Sequence, residues 1–452
     1  MLLELPATVW IYLDVLTSVL AVAVAGWMPI RAVVELTWVT HFAVSVVAFP
    51  VALAVAGTIC GLYERQTFMA RSRIAVRAAA TCVIGVTLAY AVICLILGRH
   101  ANPWLPVAVG AGYLGVMTPV RMLAHSAVTL TPARVLFVGA GPSIAKLVDL
   151  LTESRDRHYE LRGYLKVEPS QPSLQCTRRL PILGTIESIV DVVRDESIDE
   201  VVVDAALTHD PRVGQSIVAC LHERCRVTDQ PSFHERLLRS VPVHDITAQW
   251  FLVSNVQTSA GYELVKRLMD LGAAMIGLLI TLPLWPVIAA AIRAESDGPV
   301  LFRQRRVGLH GRAFTMLKFR TMRVDAEKSG PCWAAPNDDR VTRVGRLLRR
   351  TRLDELPQLI NVICGEMTLV GPRPERPEFV DRLAEQIPHY HQRHLIRPGV
   401  TGWAQIHSGY GASVEETRQK LCYDLYYLKH RSIDMDFAIL LRTCRKFMEG
   451  AR

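Results

Sequence analysis

Four long apolar stretches occupy the first quarter of the chain, over residues 6–28, 34–62, 76–97 and 102–120. Each is close to the roughly 20 residues that a helix needs to cross the hydrocarbon core of a bilayer. The first stretch lacks the layout of a signal peptide, because Glu4 replaces a basic start and Asp14 interrupts the apolar run. The pattern therefore predicts a membrane protein whose residues 1–125 form a four-helix transmembrane domain.

The charges of the short loops predict the orientation of this domain. Four arginines lie between residues 65 and 77, whereas the other two loops carry only Arg31 and Arg99. Basic loops stay on the cytoplasmic side, so both ends of the domain and everything after Arg121 are expected in the cytoplasm. A transporter would need paired ionisable residues inside the spans. Asp14 has no evident partner, so we expect the spans to anchor or dimerise the protein.

Composition agrees with a membrane protein and disfavours other classes. Half of the 452 residues are hydrophobic, and the mean hydropathy of +0.23 is high for a soluble protein. The formal net charge of +9 suits an anionic membrane or a phosphorylated substrate, and no recognisable nucleic-acid module accompanies it. The ten cysteines stand singly without a CxxC pair, so we expect buried thiols rather than disulfides or a zinc site.

Strands alternate with helices after Ala133, which predicts a small Rossmann-like α/β domain over residues 133–245. Gly139 and Gly141 could present backbone amides to a phosphate. The third glycine of the dinucleotide fingerprint is replaced by Ile144, so the motif is incomplete. A turn that serves packing alone and a nucleotide site both remain open, and we expect a structural or regulatory domain.

A fifth apolar stretch, residues 271–292, differs from the first four because basic residues flank both of its ends. Pro283 and Pro286 lie inside it, and each removes a backbone donor and kinks a helix. A re-entrant membrane helix over residues 268–293, broken at Pro283, explains both features. A straight transmembrane helix with a proline kink is the alternative. The even number of crossings before it favours re-entry.

Residues that could bind phosphate are concentrated between Pro299 and Gly402. Guanidinium and ammonium groups suit phosphate oxygens. The candidates are Arg303, Gln304, Lys318, Arg320, Arg349, Arg373 and Arg397. Within this stretch, Val341, Val344, Leu347 and Leu348 have helical spacing and alternate with arginines. That pattern predicts either a helix lying on an anionic membrane surface or a soluble helix with a solvated basic face.

Asp354 and Glu355 follow this basic segment side by side. Adjacent helical positions do not share a face, so the two carboxylates cannot form the facing pair of a glycosidase. Among so many arginines we expect a carboxylate to have a lowered pKa and to remain ionised. An ionised carboxylate can attack phosphorus, and Mg²⁺ is commonly held by one or two carboxylates together with substrate phosphates.

These blocks together resemble a known family. "KRLMD", "GPVLFRQRRVG", "FTMLKFRTM", "TRLDELPQLINVICGEMTLVGPRP" and "RPGVTGWAQI" resemble, in order and spacing, the catalytic domain of the monotopic polyprenyl-phosphate phosphoglycosyl transferases, the bacterial sugar transferase family. The resemblance is strong over residues 266–443. The four-span start and α/β middle look like the long-form members, which initiate exopolysaccharide, capsule or O-antigen synthesis. A mainly helical catalytic domain is therefore expected over residues 262–452.

The resemblance implies a reaction and a place for it. Asp354 would be the nucleophile and Mg²⁺ ligand, and Glu355 the second member of the dyad. Arg349 would help to hold phosphate, and Arg373 and Arg397 would line the nucleotide side of a UDP-sugar. Lys318, Arg320, Gln304 and Arg303 are substrate-binding candidates on their chemistry. UMP would leave, and undecaprenyl phosphate would accept the sugar phosphate. The enzyme would be a multi-pass protein of the bacterial inner membrane with a cytoplasmic catalytic domain, and by analogy a homodimer.

Two points stay open in the sequence. Small members of the family carry a Ser-Pro pair at the helix break, whereas this chain has Leu282 before Pro283 and Thr281 beside it, which leaves the geometry of the break undefined. No residue decides between UDP-glucose, UDP-galactose and an N-acetylated donor. A nucleotide-sensing membrane scaffold is the alternative function, although the "DELPQL" block is intact.

Overall fold

The computed structural model forms two compact units: residues 1–134 with 153–160, and residues 135–152 with 161–452. The residues that the structure describes are 7–27, 36–60, 62, 71–97, 104–130, 132–153, 159–167, 180–223, 225–246, 250–251, 254, 260–324, 326, 338–408 and 413–448. Arg31, Arg65 and Arg99, which helped to predict the orientation, lie outside these residues.

The first unit contains four helices, one at each of the four apolar stretches from which a helix was predicted. They are α1 (Ala7–Trp27), α2 (Leu36–Ile59), α3 (Arg71–Leu97) and α4 (Leu105–Leu130). Two described segments, Phe42–Ile59 and Ile74–Ile96, are long and apolar enough to cross a bilayer, whereas Val9–Ala23 is shorter. The helices are therefore present, and a membrane crossing by all four stays a prediction.

A buried ion pair joins α1 to α4, and it corrects the expectation that Asp14 has no partner. Arg121 Nη2 lies 2.8 Å from Asp14 Oδ1 and 2.7 Å from Oδ2, and both side chains are fully buried. The Tyr113 hydroxyl donates to Asp14 Oδ2 at 3.1 Å. The pairing joins residues more than one hundred positions apart, so local sequence patterns did not reveal it.

The second unit begins with a five-stranded sheet of the kind that the alternating pattern predicted. Its elements are β1 (Ala133–Val138), α5 (Pro142–Glu153), β2 (Tyr159–Lys166), β3 (Ile182–Thr185), α6 (Ile189–Asp195), β4 (Glu200–Val203), α7 (Pro211–Cys220), β5 (Arg226–Asp229) and α8 (Gln230–Leu238). The strand order is β3-β2-β1-β4-β5, which is the order of a Rossmann-like sheet. The pairs β1–β4, β4–β5 and β2–β3 are parallel.

The glycine turn after β1 lies at the point where the strand order reverses, which is where such sheets bind ligands. Here the Gly141 amide donates to Asp204 Oδ2 at 2.9 Å. A Cβ on Gly141 would lie 2.2 Å from that oxygen, so glycine is required for the close approach. Because a carboxylate of the protein already takes the amide that a phosphate would use, the geometry favours the packing interpretation of this turn.

The fifth apolar stretch forms a broken helix pair, α9 (Ala260–Thr281) and α10 (Leu284–Glu295), bent by 62°. Pro283 stands at the break. The Thr281 hydroxyl donates to the Gly277 carbonyl at 2.7 Å, so a backbone-bonding hydroxyl lies one residue before Leu282, the residue that directly precedes Pro283. Leu279, Ile280 and Val287 are largely exposed. The break is confirmed, and the choice between a broken span and a re-entrant loop stays a prediction.

The C-terminal part contains mostly short elements. They are β6 (Leu301–Val307), β7 (Ala313–Phe319), α11 (Arg343–Thr351), α12 (Gln358–Cys364), β8 (Thr368–Val370), α13 (Pro377–Gln386), β9 (Gly399–Thr401), α14 (Trp403–His407), α15 (Val414–His430) and α16 (Ile433–Met448). Its largest core packs Val370, Tyr390, Trp403 and Leu425 together, and Val241 and Val243, which follow α8, belong to the same core.

Direct contacts join α8 and the segment after it to this C-terminal part. Glu235 of α8 accepts from Lys429 Nζ at 2.9 Å and also contacts His430, both on α15. The Val241 amide donates to the Cys422 carbonyl at 2.9 Å. The α/β domain is therefore bonded along α15 and lies in the same compact unit as the catalytic stretch.

Candidate active site

A β-ribbon positions Lys318. Strands β6 and β7 pair in antiparallel register, with Lys318 opposite Phe302. Asn361 of α12 binds the outer edge of β7, because its Oδ1 accepts from the Leu317 amide at 3.0 Å and its Nδ2 donates to the Thr315 carbonyl at 2.8 Å. This buried asparagine thus replaces a missing neighbouring strand and ties the strand that carries Lys318 to α12.

A sharp turn after α11 presents the acidic pair. Helix α11 begins after Thr342, whose hydroxyl accepts from the Gly345 amide at 2.9 Å, as an N-cap does. Val341 precedes the helix in a bridge to Met322, so its predicted place in the helical stripe was wrong. At the other end, Arg352 has φ 57°. This left-handed residue stops α11 and starts the 3₁₀ turn Leu353–Glu355.

Three cations surround Glu355. Lys318 Nζ lies 3.1 Å and Arg373 Nη2 2.8 Å from its Oε1, and Arg352 Nη1 lies 3.9 Å from its Oε2. Burial opposes ionisation of Glu355, but the attraction of Lys318, Arg373 and Arg352 outweighs it, so the pKa of Glu355 lies below its usual value. Glu355 is therefore a fixed anion.

Asp354 has a different environment although it is the neighbouring residue. It is 7% exposed, and its Oδ1 has no hydrogen-bond partner among the described residues. Burial, reinforced by the charge of Glu355, raises the pKa of Asp354 against the opposing effect of Lys318, Arg349 and Arg373. The expectation of a lowered pKa in the acidic pair holds for Glu355 and was wrong for Asp354, because desolvation exceeds the effect of the arginines.

The remaining predicted substrate-binding residues lie in other places. Arg320 is buried and donates to the carbonyls of Ser296 and Asp297 at 2.6 and 2.7 Å, so it fastens the loop after α10. Gln304 accepts from Arg306 Nη2 at 2.6 Å. Arg303 pairs with Leu317, so strand alternation places it on the face of the ribbon opposite to Lys318.

Arg349 lies near the acidic pair, and Arg397 lies at the opposite end of α12. Arg349 is close enough to lower the pKa of Asp354, and its Nε donates to the Thr321 hydroxyl at 3.0 Å. Arg397 Nε donates to the Gly365 carbonyl at 3.1 Å, just beyond the C-terminal end of α12, whereas the acidic pair precedes the N-terminal end. Arg397 lines a cavity of about 200 Å³ together with Glu263, Lys266, Arg267, Asp270 and Arg431.

Two residues of the site were missed at the sequence level. The sequence assigned no role to Arg352, which lies in the "TRLDELPQL" segment. In the structure it ends α11 with a left-handed backbone conformation and pairs with Glu355. Its nearness to Glu355 in sequence was an available signal. Asn361 supports β7 from α12, and no sequence pattern links a single asparagine to the edge of a distant strand.

The predicted magnesium site can be compared with the carboxylates present here. Over the residues that the structure describes, no group of three or more His, Cys, Asp or Glu side chains could hold a metal ion by itself. Glu355 is ion-paired with Lys318 and Arg373, whereas Asp354 Oδ1 accepts no hydrogen bond from the part of the chain that the structure describes. One carboxylate oxygen close to Lys318, Arg349 and Arg373 fits the donor chemistry of Mg²⁺, which usually takes one or two carboxylates and completes its shell with phosphate and water.

Comparison with known proteins adds independent information. The family model described as "Bacterial sugar transferase" matches residues 261–450. A UDP-N-acetylgalactosamine-undecaprenyl-phosphate N-acetylgalactosaminephosphotransferase of Aeromonas hydrophila is 40% identical over 232 residues, which are 50% of this chain and 54% of the relative. A UDP-glucose:undecaprenyl-phosphate glucose-1-phosphate transferase of Xanthomonas campestris pv. campestris is 32% identical over 321 residues, which are 69% of this chain and 65% of the relative.

A third relative has the same named activity as the second. It is a UDP-glucose:undecaprenyl-phosphate glucose-1-phosphate transferase of Caulobacter vibrioides, 45% identical over 183 residues, which are 40% of this chain and 68% of the relative. The chain spans about half to two thirds of the length of the first two relatives.

Proposed function

The chain belongs to the bacterial sugar transferase family, and from this premise we propose that it transfers a sugar 1-phosphate from a UDP-sugar to undecaprenyl phosphate and releases UMP. The observation that carries the proposal is the buried Oδ1 of Asp354, which has no hydrogen-bond partner among the described residues, beside a Glu355 held by Lys318 and Arg373. An unpartnered carboxylate oxygen in a cationic site is suited to attack phosphorus.

The first half-reaction uses Asp354 as the nucleophile. A carboxylate oxygen of Asp354 forms a bond to the β-phosphorus of the donor, and the bond between that phosphorus and the oxygen bridging to the α-phosphate breaks. UMP departs with the bonding electron pair, and the phosphosugar stays on Asp354. Because burial raises the pKa of Asp354, Lys318, Arg349 and Arg373 are needed to keep it ionised at the working pH.

In the second half-reaction, a phosphate oxygen of undecaprenyl phosphate attacks the same phosphorus, and the bond to Asp354 breaks. The carboxylate is restored, and the product is an undecaprenyl diphosphosugar. Transition-state charge collects on the phosphate oxygens throughout, and preorganised cations stabilise it. Lys318, Arg349 and Arg373 are placed to do so, and Glu355 keeps Lys318 and Arg373 in position.

Asp354 would hold the Mg²⁺ through its free oxygen. A bound Mg²⁺ supplies neutralisation of the donor's diphosphate and of the departing UMP. Arg397 would contact the nucleotide end of the donor, on the far side of α12. Arg303, Gln304 and Arg320 have structural contacts or face away from Lys318, so we propose no direct contact between them and the donor's phosphates.

The membrane is the second half of the proposal. The exposed apolar residues of α9 and α10 would insert as a re-entrant helix, since the two arms meet at a 62° bend. Glu295, at the end of α10, accepts from the Arg343 and Val344 amides of α11 at 2.6 and 2.8 Å. The membrane-inserted pair and the helix before Asp354 are thus joined, which would place the acidic pair near a lipid-borne phosphate. The protein would lie in the bacterial inner membrane as a homodimer, with this site in the cytoplasm.

The donor is proposed to be UDP-glucose or UDP-galactose, with UDP-N-acetylgalactosamine as the competing case. Relatives are named for glucose and for N-acetylgalactosamine transfer. The test is UMP release from a panel of these donors by the purified protein with Mg²⁺, with and without undecaprenyl phosphate. Donor-selective release that Asp354→Asn loses while inserting normally into membranes supports the proposal. Release that persists in Asp354→Asn removes Asp354 as the nucleophile.

A further inference from the structure

The main chain at Arg373 is held by a second, fully buried arginine. Arg393 Nη2 donates to the Arg373 carbonyl at 3.0 Å, and Arg393 Nη1 donates to the Tyr390 hydroxyl at 2.7 Å. Arg393 comes from the 3₁₀ segment Tyr390–Leu395, about twenty residues after Arg373. A buried guanidinium that bonds a main-chain carbonyl fixes the position of that peptide.

The charge of Arg393 is balanced from α15. Asp424 Oδ2 lies 2.8 Å from Arg393 Nη2, and the two side chains are 3% and 6% exposed. A buried ion pair contributes little net stability compared with apolar residues of the same size, because both charges lose their hydration. Stability alone therefore does not explain the pair. Its effect is to fix the position of the Arg373 peptide, which Arg393 bonds.

Neighbouring residues of the same loop are held by other means. The Gly371 amide donates to the Thr401 carbonyl at 2.8 Å, the Gly399 amide donates to the Pro372 carbonyl at 2.8 Å, and the Val307 amide donates to the Glu375 carbonyl at 2.9 Å. These are strand-like contacts to β9 and β6. The Arg373 carbonyl lies between them and is bonded by the Arg393 side chain instead.

We propose that Arg393, supported by Asp424 and Tyr390, is a positioning residue that holds the Arg373 peptide so that the Arg373 guanidinium stays on Glu355 beside Asp354. The path is continuous from α15 to the acidic pair, since Arg373 Nη2 lies 2.8 Å from Glu355 Oε1. The proposal rests on the proposed function only for its kinetic readout. Misplacing a charge by a fraction of an ångström at a reacting phosphate is costly, up to roughly 100-fold for about 1 Å.

The matched control is another buried ion pair on the same helix. Lys429, also on α15, pairs with Glu235 at 2.9 Å, and the exposed fractions of the two side chains are 22% and 5%. Neither residue contacts Glu355, Arg373 or Arg393 in the contacts seen for the described part of the chain. Lys429→Gln therefore removes a buried ion pair from α15 without touching the Arg373 peptide.

The kinetic test is a double-mutant cycle on UMP release. We expect Arg393→Lys to lower kcat by roughly 10- to 100-fold with little change in the donor KM. In an Arg373→Ala background the same substitution should cost nothing further, because residues acting through one another are not additive. Lys429→Gln should leave kcat unchanged in both backgrounds. An equal loss from Arg393→Lys with and without Arg373 would overturn the proposal.

Hydrogen–deuterium exchange measures how firmly the segment around Arg373 is held, and it does not depend on catalytic activity. In the full-length protein, Arg393→Lys should accelerate amide exchange at Arg373, Glu375 and Arg376. The amides of Gly371 and Gly399, which bond Thr401 and Pro372, should stay unchanged, and Lys429→Gln should change neither group. Tyr390→Phe, a milder variant that keeps the ion pair, should give a smaller effect in the same residues. Unchanged exchange there in both Arg393→Lys and Tyr390→Phe defeats the proposal. If the exchange pattern is as expected but the protein releases no UMP, the positioning role stands and the proposed function is rejected.

Discussion

Asp354 and Glu355 are neighbours in the chain with opposite electrostatic environments. Glu355 Oε1 lies 3.1 Å from Lys318 Nζ and 2.8 Å from Arg373 Nη2, whereas Asp354 Oδ1 is buried and has no partner among the described residues. Accordingly the pKa of Glu355 is lowered and that of Asp354 is raised. The 3₁₀ turn that begins after Arg352 makes the difference, since it directs the two side chains into different surroundings.

Replacing Glu355 with Gln should disable the site while leaving the protein folded. Lys318 and Arg373 would lose their shared anion, and losing one partner of a buried ion pair typically costs about 3–5 kcal/mol. We expect UMP release to fall by roughly 100-fold or more, since the two cations would no longer be held near the phosphate. Steady-state kinetics would check this, with exposed Glu385→Gln as the control. Wild-type kcat in Glu355→Gln would show that Glu355 does not organise the site.

The ion pair between Asp14 and Arg121 predicts a non-additive stability pattern. Arg121→Met alone should lower the melting temperature strongly, because it removes the cation that balances the buried charge of Asp14. Adding Asp14→Leu should recover much of that loss, since an apolar pair of similar volume avoids the desolvation cost. Thermal melts of the purified proteins in one detergent would measure both. A double variant less stable than Arg121→Met would contradict the pairing.

The α9–α10 break predicts that both ends of the pair are on the cytoplasmic face. Gly261→Cys and Asp297→Cys should react with a membrane-impermeant maleimide in inverted vesicles, above the labelling of the parent chain, and should stay unlabelled in right-side-out vesicles. Pro283→Ala removes the residue at the break and should favour a straighter helix. Labelling of the two positions from opposite faces in the unmodified helix would replace re-entry with a broken span.

His394 predicts an acid-sensitive contribution to stability. Burial, with nearby Arg393 and His391, lowers the pKa of His394 to about 3. In the unfolded chain it titrates near 6.5, so the stability from its neutral form is present above about pH 6.5 and is lost as the pH falls towards 3. The melting-temperature difference between wild type and His394→Asn should therefore shift against wild type from pH 7.5 to pH 5. A pH-independent difference would contradict the lowered pKa.

The sequence predicted which residues gather at this site better than it predicted where each side chain points. Lys318 lies in one sequence block and Asp354, Glu355 and Arg373 lie in another, and the structure brings all four together. Family order and spacing carried that prediction. Arg320, two residues after Lys318, has the same charge and would share its face if the strand continued. Strand β7 ends at Phe319, however, and Arg320 bonds the loop after α10 instead. Charge and proximity in sequence cannot report which way a side chain faces.

Pairs of residues far apart in the chain could also not be predicted from the sequence. The helix pattern located α1 and α4 but could not pair Asp14 with Arg121. The raised pKa of Asp354 depends on how deeply it is buried, which follows from packing around α11 and α12 rather than from its basic neighbours. By contrast, the broken helix at Pro283 follows from local chemistry, since proline removes a backbone donor wherever it stands, and that element was predicted closely.

The most direct test of the account is the mass of the Asp354 peptide after incubation of the protein with a productive UDP-sugar and Mg²⁺ in the absence of undecaprenyl phosphate. The account predicts that this peptide gains one phosphosugar, that the adduct disappears when undecaprenyl phosphate is added, and that Asp354→Asn never acquires it. UMP release and lipid-linked product without any adduct on Asp354, together with activity in Asp354→Asn, would contradict the covalent role of this carboxylate.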